Sequence, residues 1–118
     1  MPVFVEVVSA PSAQDKNDLA KIYADAPAWL LPPYPDVESL LDSAIEQGTL
    51  IAGRFNDRLL GAALLERGES HWRLSHLCVR QLTRQRGVAR RLLDETQRWA
   101  TAAGKPLQLA APQDRLDK

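Results

Sequence analysis

Cysteine is almost missing from this chain: Cys78 is the single one among 118 residues. No intrachain disulfide can form, and no Cys/His cluster has the spacing of a zinc site. Long apolar runs are absent too. No segment approaches the roughly 18 apolar residues that a membrane span needs. Met1 to Ala10 lacks a basic region ahead of a long apolar stretch and is interrupted at Glu6, which argues against a signal peptide. Aromatic residues make up 6% and the formal net charge is zero, so the basic, aromatic-interleaved surface of a nucleic-acid binder is not expected. The remainder is ordinary in amount, with 45% hydrophobic and 25% charged residues, the balance of a soluble globular protein. At this length one domain over residues 1–118 is expected, able to bury a core without staples and located in the cytoplasm.

The neutral total hides a polarity. Residues 1–66 carry four basic and ten acidic side chains, net −6, whereas residues 67–118 carry eleven and five, net +6. An anionic ligand is therefore expected in the second half.

Val3 to Val8, rich in β-branched residues, reads as a short strand. Ser12 is an N-cap for a helix in which Leu19, Ile22 and Tyr23 recur at helical spacing up to about Asp25. Pro27, Pro32, Pro33 and Pro35 make Ala26 to Pro35 a loop, anchored by Trp29, Leu30, Leu31 and Tyr34. Asp36 caps a second helix with Val37, Leu40, Leu41, Ala44 and Ile45 on one face, closed by Gly48. Thr49 to Phe55 and Arg58 to Glu66 are strand-like and joined by a hairpin turn at Asn56 and Asp57, which tolerate left-handed angles. His71 to Arg80 is a third meander strand, with Trp72, Leu74, His76 and Cys78 on one side and Leu77 and Val79 out of phase. Val88, Leu92, Thr96, Trp99 and Ala103 form one face of a long helix ended by Gly104. Leu107 to Ala110 is a last short strand. This order predicts an α/β (α+β) fold: a mixed, mostly antiparallel sheet with flanking helices, its last strand parallel to the one before the long helix.

Chemistry concentrates between that strand and that helix. Arg84, Arg86, Arg90 and Arg91 sit at or just before a helix N-terminus, where the macrodipole is already positive. For a free helix this is the wrong end, and the arrangement makes sense when an anion occupies it. Gly87 and Ala89 are small enough to let backbone N–H groups approach a phosphate. The same arginines could instead form a solvated face paired with Asp94 and Glu95. A P-loop is excluded, because no lysine followed by Ser or Thr follows a second glycine; the dinucleotide fingerprint is excluded because only Gly87 is available.

The run Arg84-Gln85-Arg86-Gly87-Val88-Ala89 is similar to the acetyl-CoA signature Arg/Gln-x-x-Gly-x-Gly/Ala of the GNAT superfamily of N-acetyltransferases. Val79 stands five residues before Arg84, as in that family, and the predicted element order resembles the GNAT order from its first strand to its fifth. The resemblance implies acetyl-CoA as cofactor. Backbone groups of Leu77, Cys78 and Val79 would pair with the pantetheine arm, and amides across Arg84, Gln85, Arg86, Gly87, Val88, Ala89 and Arg90 would hold the pyrophosphate. A narrower resemblance joins Arg54-Phe55-Asn56-Asp57-Arg58-Leu59-Leu60 with Val79 to Val88. These stretches look like the PanZ (PanM) group, GNAT-fold acetyl-CoA sensors that bind the aspartate decarboxylase zymogen and promote its self-cleavage. It spans about Leu19 to Glu95 and implies that Arg54 and Asn56 contact the partner.

GNAT chains usually continue beyond the fifth strand with elements that complete the acceptor site. Eight residues follow Ala110, so the expectation is either a C-terminally short domain or one completed by another chain, a homodimer partner included. Acetyl transfer needs a base for the amine and an acid for the thiolate. Glu66 ends a strand, His76 lies on the cofactor strand with a suitable pKa, and His71 starts a strand. Cys78 reads as a small buried hydrophobe, and Tyr23 and Tyr34 lie in the wrong half for the usual acid. No catalytic residue is assigned. Two functions are carried forward: a PanZ-like regulator of a partner enzyme, and an active N-acetyltransferase on a small-molecule or protein amine.

Overall fold

Helices begin where a side chain can take over unpaired backbone N–H groups, and two of the three here do so through their own sequence. The computed structural model describes residues 3–24, 26, 30–31, 33–80 and 87–109. Helix α1 (Ala13–Ala24) starts at a reciprocal cap in which the Asp15 N–H donates to Ser12 Oγ at 3.1 Å and the Ser12 N–H to Asp15 Oδ2 at 3.4 Å. Helix α2 (Val37–Gln47) starts at Asp36, whose Oδ1 accepts from the Ser39 N–H at 2.8 Å. It stops at Gly48, whose φ of +72° belongs to the left-handed region that ends helices. Helix α3 (Val88–Ala102) differs: Gly87 precedes it and, among the described residues, no side chain caps it.

The strands are β1 (Phe4–Val7), β2 (Leu50–Phe55), β3 (Arg58–Arg67), β4 (Trp72–Val79) and β5 (Leu107–Leu109). Among the described residues they form one sheet in the order β1-β2-β3-β4-β5. The first three pairings are antiparallel, and β4 with β5 is parallel, crossing over through α3 as expected. The β2–β3 turn is Asn56-Asp57, with φ of +49° and +66° as a two-residue hairpin demands.

Alternation along the strands divides the core in two. Leu50, Ala52, Ala62 and Leu64 face α1 and α2, where they meet Leu19, Ile22, Tyr23, Leu40 and Ala44. Ile51, Ala63, Leu65 and Leu74 face α3 and meet Val88 and Leu92. Gly53 and Gly61 let α3 approach the sheet. A Cβ on Gly61 would lie 2.9 Å from Val88 Cγ1, and one on Gly53 2.9 Å from Val3 Cγ1 and 3.6 Å from Val88 Cγ1.

Two sequence expectations need correction. Trp72, Leu74, His76 and Cys78 do not share a side. Ala62 pairs with Cys78 but Leu64 with Ser75, so β4 carries one extra residue there. This β-bulge reverses the alternation, leaving Trp72 and Leu74 toward α3 and Cys78 toward α1. On α3 the buried positions are Val88, Leu92, Glu95, Thr96 and Ala100, whereas Trp99 is half-buried and Ala103 is exposed past the helix end. The 3.6-residue period makes Glu95 the neighbour of Leu92, and its carboxylate is admitted because Arg91, Arg98 and Trp99 Nε1 all donate to it. Trp29, Ala110 and the residues beyond lie outside the described residues.

Candidate functional site

The start of α3 is the first of three places where the expected site residues gather. Gly87 has φ +81°, and a Cβ placed on it would meet no atom of the described residues within 4 Å. The glycine is therefore required by its backbone angle and not by crowding from any described residue. No acidic residue stands in the first turn of α3, where helices favour carboxylates. The turn instead carries Arg90 and Arg91. Arg91 is committed: its Nε donates to the Val3 carbonyl at 3.0 Å, and it pairs with Glu95 at 2.8 Å. Arg90 is 85% exposed and only 3.8 Å from Asp94, a loose surface pair. Both arginines thus have the carboxylate that the solvated-face alternative gives them, Arg91 tightly and Arg90 loosely, and Arg90 is the one left to solvent. Val88 is buried over Gly61 and Ala89 is half-buried, so the turn is fixed to the sheet from below. Arg84, Gln85 and Arg86 lie outside the described residues.

The second place is the β4 bulge. His76 takes the extra position with φ +55°, a conformation costly for a residue with a Cβ. Its carbonyl accepts from the Tyr23 hydroxyl at 2.7 Å, its Nδ1 lies 2.9 Å from Ser75 Oγ, and its ring meets the edge of Tyr34 with centroids 5.5 Å apart. Burial, and secondarily the neighbouring Cys78, push the Tyr23 hydroxyl well above its ordinary pKa, so it stays a donor. Leu77 is half-buried, Cys78 is buried and donates from Sγ to the Ile22 carbonyl at 3.2 Å, and Val79 pairs with Gly61. Among the described residues the β4–β5 ladder ends at Leu74–Leu109, just before the bulge. Leu77 to Val79 and the α3 start therefore flank one end of the sheet, on the strand and the helix that follows it.

The third place is the β2–β3 hairpin. Asn56 and Asp57 are exposed at its tip. Arg54 is drawn inward. Its Nε and Nη2 donate to Glu6 Oε1 at 3.1 and 2.8 Å, its Nη1 and Nη2 to Asp15 at 3.1 and 3.0 Å, and Nη1 also to the Asp57 carbonyl at 3.1 Å. These bonds hold the Asp15 carboxyl below its usual range and raise the Arg54 guanidinium above its own. Beside it, Arg58 forms a bidentate pair with Asp18, whose side chain is fully buried and also accepts from the Leu59 N–H at 3.1 Å. Burial pushes the Asp18 carboxyl up, but the bonds from Arg58, Leu59 and Gln14 outweigh it and leave it lowered. Arg54 thus ties α1 and β1 to the hairpin, and Asn56 and Asp57 are the side chains presented outward at its tip. Strand pairing brings Glu6 opposite Ala52, beside Arg54, a juxtaposition that needs the register and is not visible along the chain.

Of the remaining candidates, Glu66 is exposed near the end of β3 opposite Arg73, and His71 is half-buried with its Nδ1 2.9 Å from Ser70 Oγ. Neither approaches the α3 start through any bond seen among the described residues. No group of three or more His, Cys, Asp or Glu among them could hold a metal ion.

A mostly antiparallel sheet with a bulged fourth strand, a parallel fifth and a glycine-led helix between them is the GNAT acetyltransferase fold. A ribosomal-protein-alanine N-acetyltransferase from Brucella melitensis biovar Abortus 2308 superposes with a TM-score of 0.71 at 18% identity, over 95% of this chain and 82% of that one. Residues 2–116 match the family described as "Acetyltransferase (GNAT) domain, PanZ", and the chain belongs to that family. It is 38% identical over 84 residues to the PanD regulatory factor of Salmonella typhimurium, covering 71% of this chain and 58% of that protein. To the PanD regulatory factor of Escherichia coli it is 36% identical over 87 residues, 74% of this chain and 60% of that one. The matched segment thus spans about three-fifths of the length of these relatives. No helix among the described residues is long and apolar enough to cross a membrane.

Proposed function

We propose that this chain is a single GNAT-type domain that binds acetyl-CoA and acts in the cytoplasm as a PanZ-type regulator of aspartate decarboxylase maturation. Membership of the PanZ family over residues 2–116 carries the reading, and two relatives named PanD regulatory factor support it. The residues fit the cofactor. A helix start behind a glycine in the left-handed region, which among the described residues has no side-chain cap and carries arginines instead of carboxylates in its first turn, suits a diphosphate. Gly87, Val88, Ala89 and Arg90 would present amides and one cation to it, with Arg84, Gln85 and Arg86 assigned alongside. Leu77, Cys78 and Val79 would take the pantetheine arm along the end of β4 that follows the bulge. When bound, acetyl-CoA supplies an activated acetyl thioester and a bulky anion.

In this reading the hairpin faces the partner. Asn56 contacts the decarboxylase precursor directly, and Arg54 contributes mainly by fixing the hairpin against Glu6 and Asp15. The test is capture of a decarboxylase precursor with and without acetyl-CoA, using wild type and Asn56→Gly. Glycine accepts the positive φ at this position, so the variant should keep stability within about 0.5 kcal/mol and lose capture. Capture that ignores both acetyl-CoA and the variant would overturn the regulator reading.

A second reading, N-acetyl transfer to an amine, is favoured by the family's description as an acetyltransferase domain. His76, beside the bulge, would then be the group nearest to the task of a general base. Steady CoA release with any member of an amine panel distinguishes it from a pure sensor.

A further inference from the structure

Tyr23 belongs to the buried core under α1 and α2, yet its hydroxyl crosses to the sheet and donates to the His76 carbonyl at 2.7 Å. His76 is the residue at which β4 takes its extra position, held at φ +55°. One residue earlier on α1, the Ile22 carbonyl accepts from Cys78 Sγ at 3.2 Å. Helix α1 therefore grips β4 on either side of Leu77, at and just past its extra residue. Strained non-glycine backbone persists only where the surroundings over-determine it. Here the surroundings include the Tyr23 hydroxyl on the His76 carbonyl itself, the Ser75 Oγ and Tyr34 ring beside its imidazole, and the Ile22 carbonyl on Cys78 two residues further along β4. Without that grip a one-residue slip of β4 would remove the bulge and exchange the faces of Cys78 and Val79.

We infer that Tyr23 is a positioning residue for the acyl-pantetheine end of the ligand: by holding the His76 carbonyl it fixes the bulge and so presets the backbone of Leu77 to Val79. The inference rests on the acetyl-CoA reading above. It divides the ligand in two. Tyr23 governs the arm that runs along β4, and the diphosphate end at Gly87 to Arg90 is independent of it.

The experiment is calorimetric titration with two probes, acetyl-CoA and adenosine 3′-phosphate 5′-diphosphate, which lacks the pantetheine arm. It compares wild type, Tyr23→Phe, and the core control Leu40→Val on α2. Tyr23→Phe should weaken acetyl-CoA about tenfold, the size of one lost buried hydrogen bond, and leave the nucleotide probe within about twofold. A parallel loss for both probes, the same selective loss in Leu40→Val, or no loss at all would overturn the assignment. His76→Gly supplies a second measurement, because glycine adopts the left-handed angle without help. In that background Tyr23→Phe should change acetyl-CoA affinity by less than about twofold, and an undiminished tenfold effect there would also overturn the inference. Failure of the wild type to bind acetyl-CoA would remove the parent reading and the inference together, whereas wild-type binding with an unaltered Tyr23→Phe would remove only the inference.

Discussion

Asp18 shows how one side chain can be read for both stability and pH. Its carboxylate is fully buried, takes three bonds from the Nε and Nη2 of Arg58, one from the Leu59 N–H and one from Gln14. Asp18→Ala leaves the Leu59 N–H without its partner and frees Arg58, which is half-exposed and can be solvated in part. The expected cost at pH 7 is about 2–3 kcal/mol, read from urea unfolding. The folded-state pKa values of Asp18 and Asp15 are lowered. Their contribution to stability is therefore present above the unfolded carboxyl value near 4 and is lost as pH falls through the lower, folded values. Wild type should lose stability on acidification below about pH 4, and the difference between wild type and Asp18→Ala should shrink over the same window. A difference that stays constant down to pH 2.5 would show that the charged pair is not its source.

At the scale of elements, the seat of α3 depends on two glycines in neighbouring strands. A Cβ on Gly61 would crowd Val88 Cγ1 at 2.9 Å, Val79 Cγ2 at 3.1 Å and Leu92 Cδ1 at 3.3 Å. Gly61→Ala should cost about 1–3 kcal/mol, as overpacking does. Because Val88 makes the tightest contact, the penalty should fall by about 1 kcal/mol in a Val88→Ala background, a coupling that a double-mutant cycle measures. Additive penalties would mean that the crowding is relieved elsewhere. This scale also marks what a sequence can reveal. Ser12, Asp36, Gly48 and the Asn56-Asp57 turn act on their own neighbours, so element boundaries near them are legible. The β4 bulge is not: the out-of-phase Leu77 and Val79 signal an irregularity, but only pairing with Ala62 and Leu64 and the reach of Tyr23 locate it. The candidate cradle is legible through its motif, Gly87 and the arginines. The capture of Arg54 by Glu6 and Asp15, 48 and 39 residues away, is settled by strand register and helix docking. Likewise, an arginine count cannot separate Arg91, spent on Glu95 and Val3, from the solvated Arg90.

Across the whole molecule the charge polarity of the chain becomes a difference between the two faces of the sheet. Helix α2 carries three carboxylates and no basic residue, while α3 on the opposite face carries three arginines against two carboxylates, with two of the arginines in its first turns. The anion site and the hairpin belong to different elements, but Gly61 and Arg58 lie on the same strand, so the seat of α3 and the hairpin share one rigid support. A ligand at the α3 start should therefore stabilise the fold as a unit and not only its own turn. At a hundred times its Kd, acetyl-CoA adds about 2.7 kcal/mol, a rise in Tm of about 10 °C for a chain of this size. Hydrogen exchange should locate the cause. The amides of Val88, Ala89 and Arg90 have no side-chain cap among the described residues and should slow by an order of magnitude or more, while the Ser39 amide, already held by Asp36, should change only as the global stability does. Equal slowing at both helix starts would move the ligand away from Gly87, and an unchanged Tm under saturating acetyl-CoA would deny the fold a cofactor altogether.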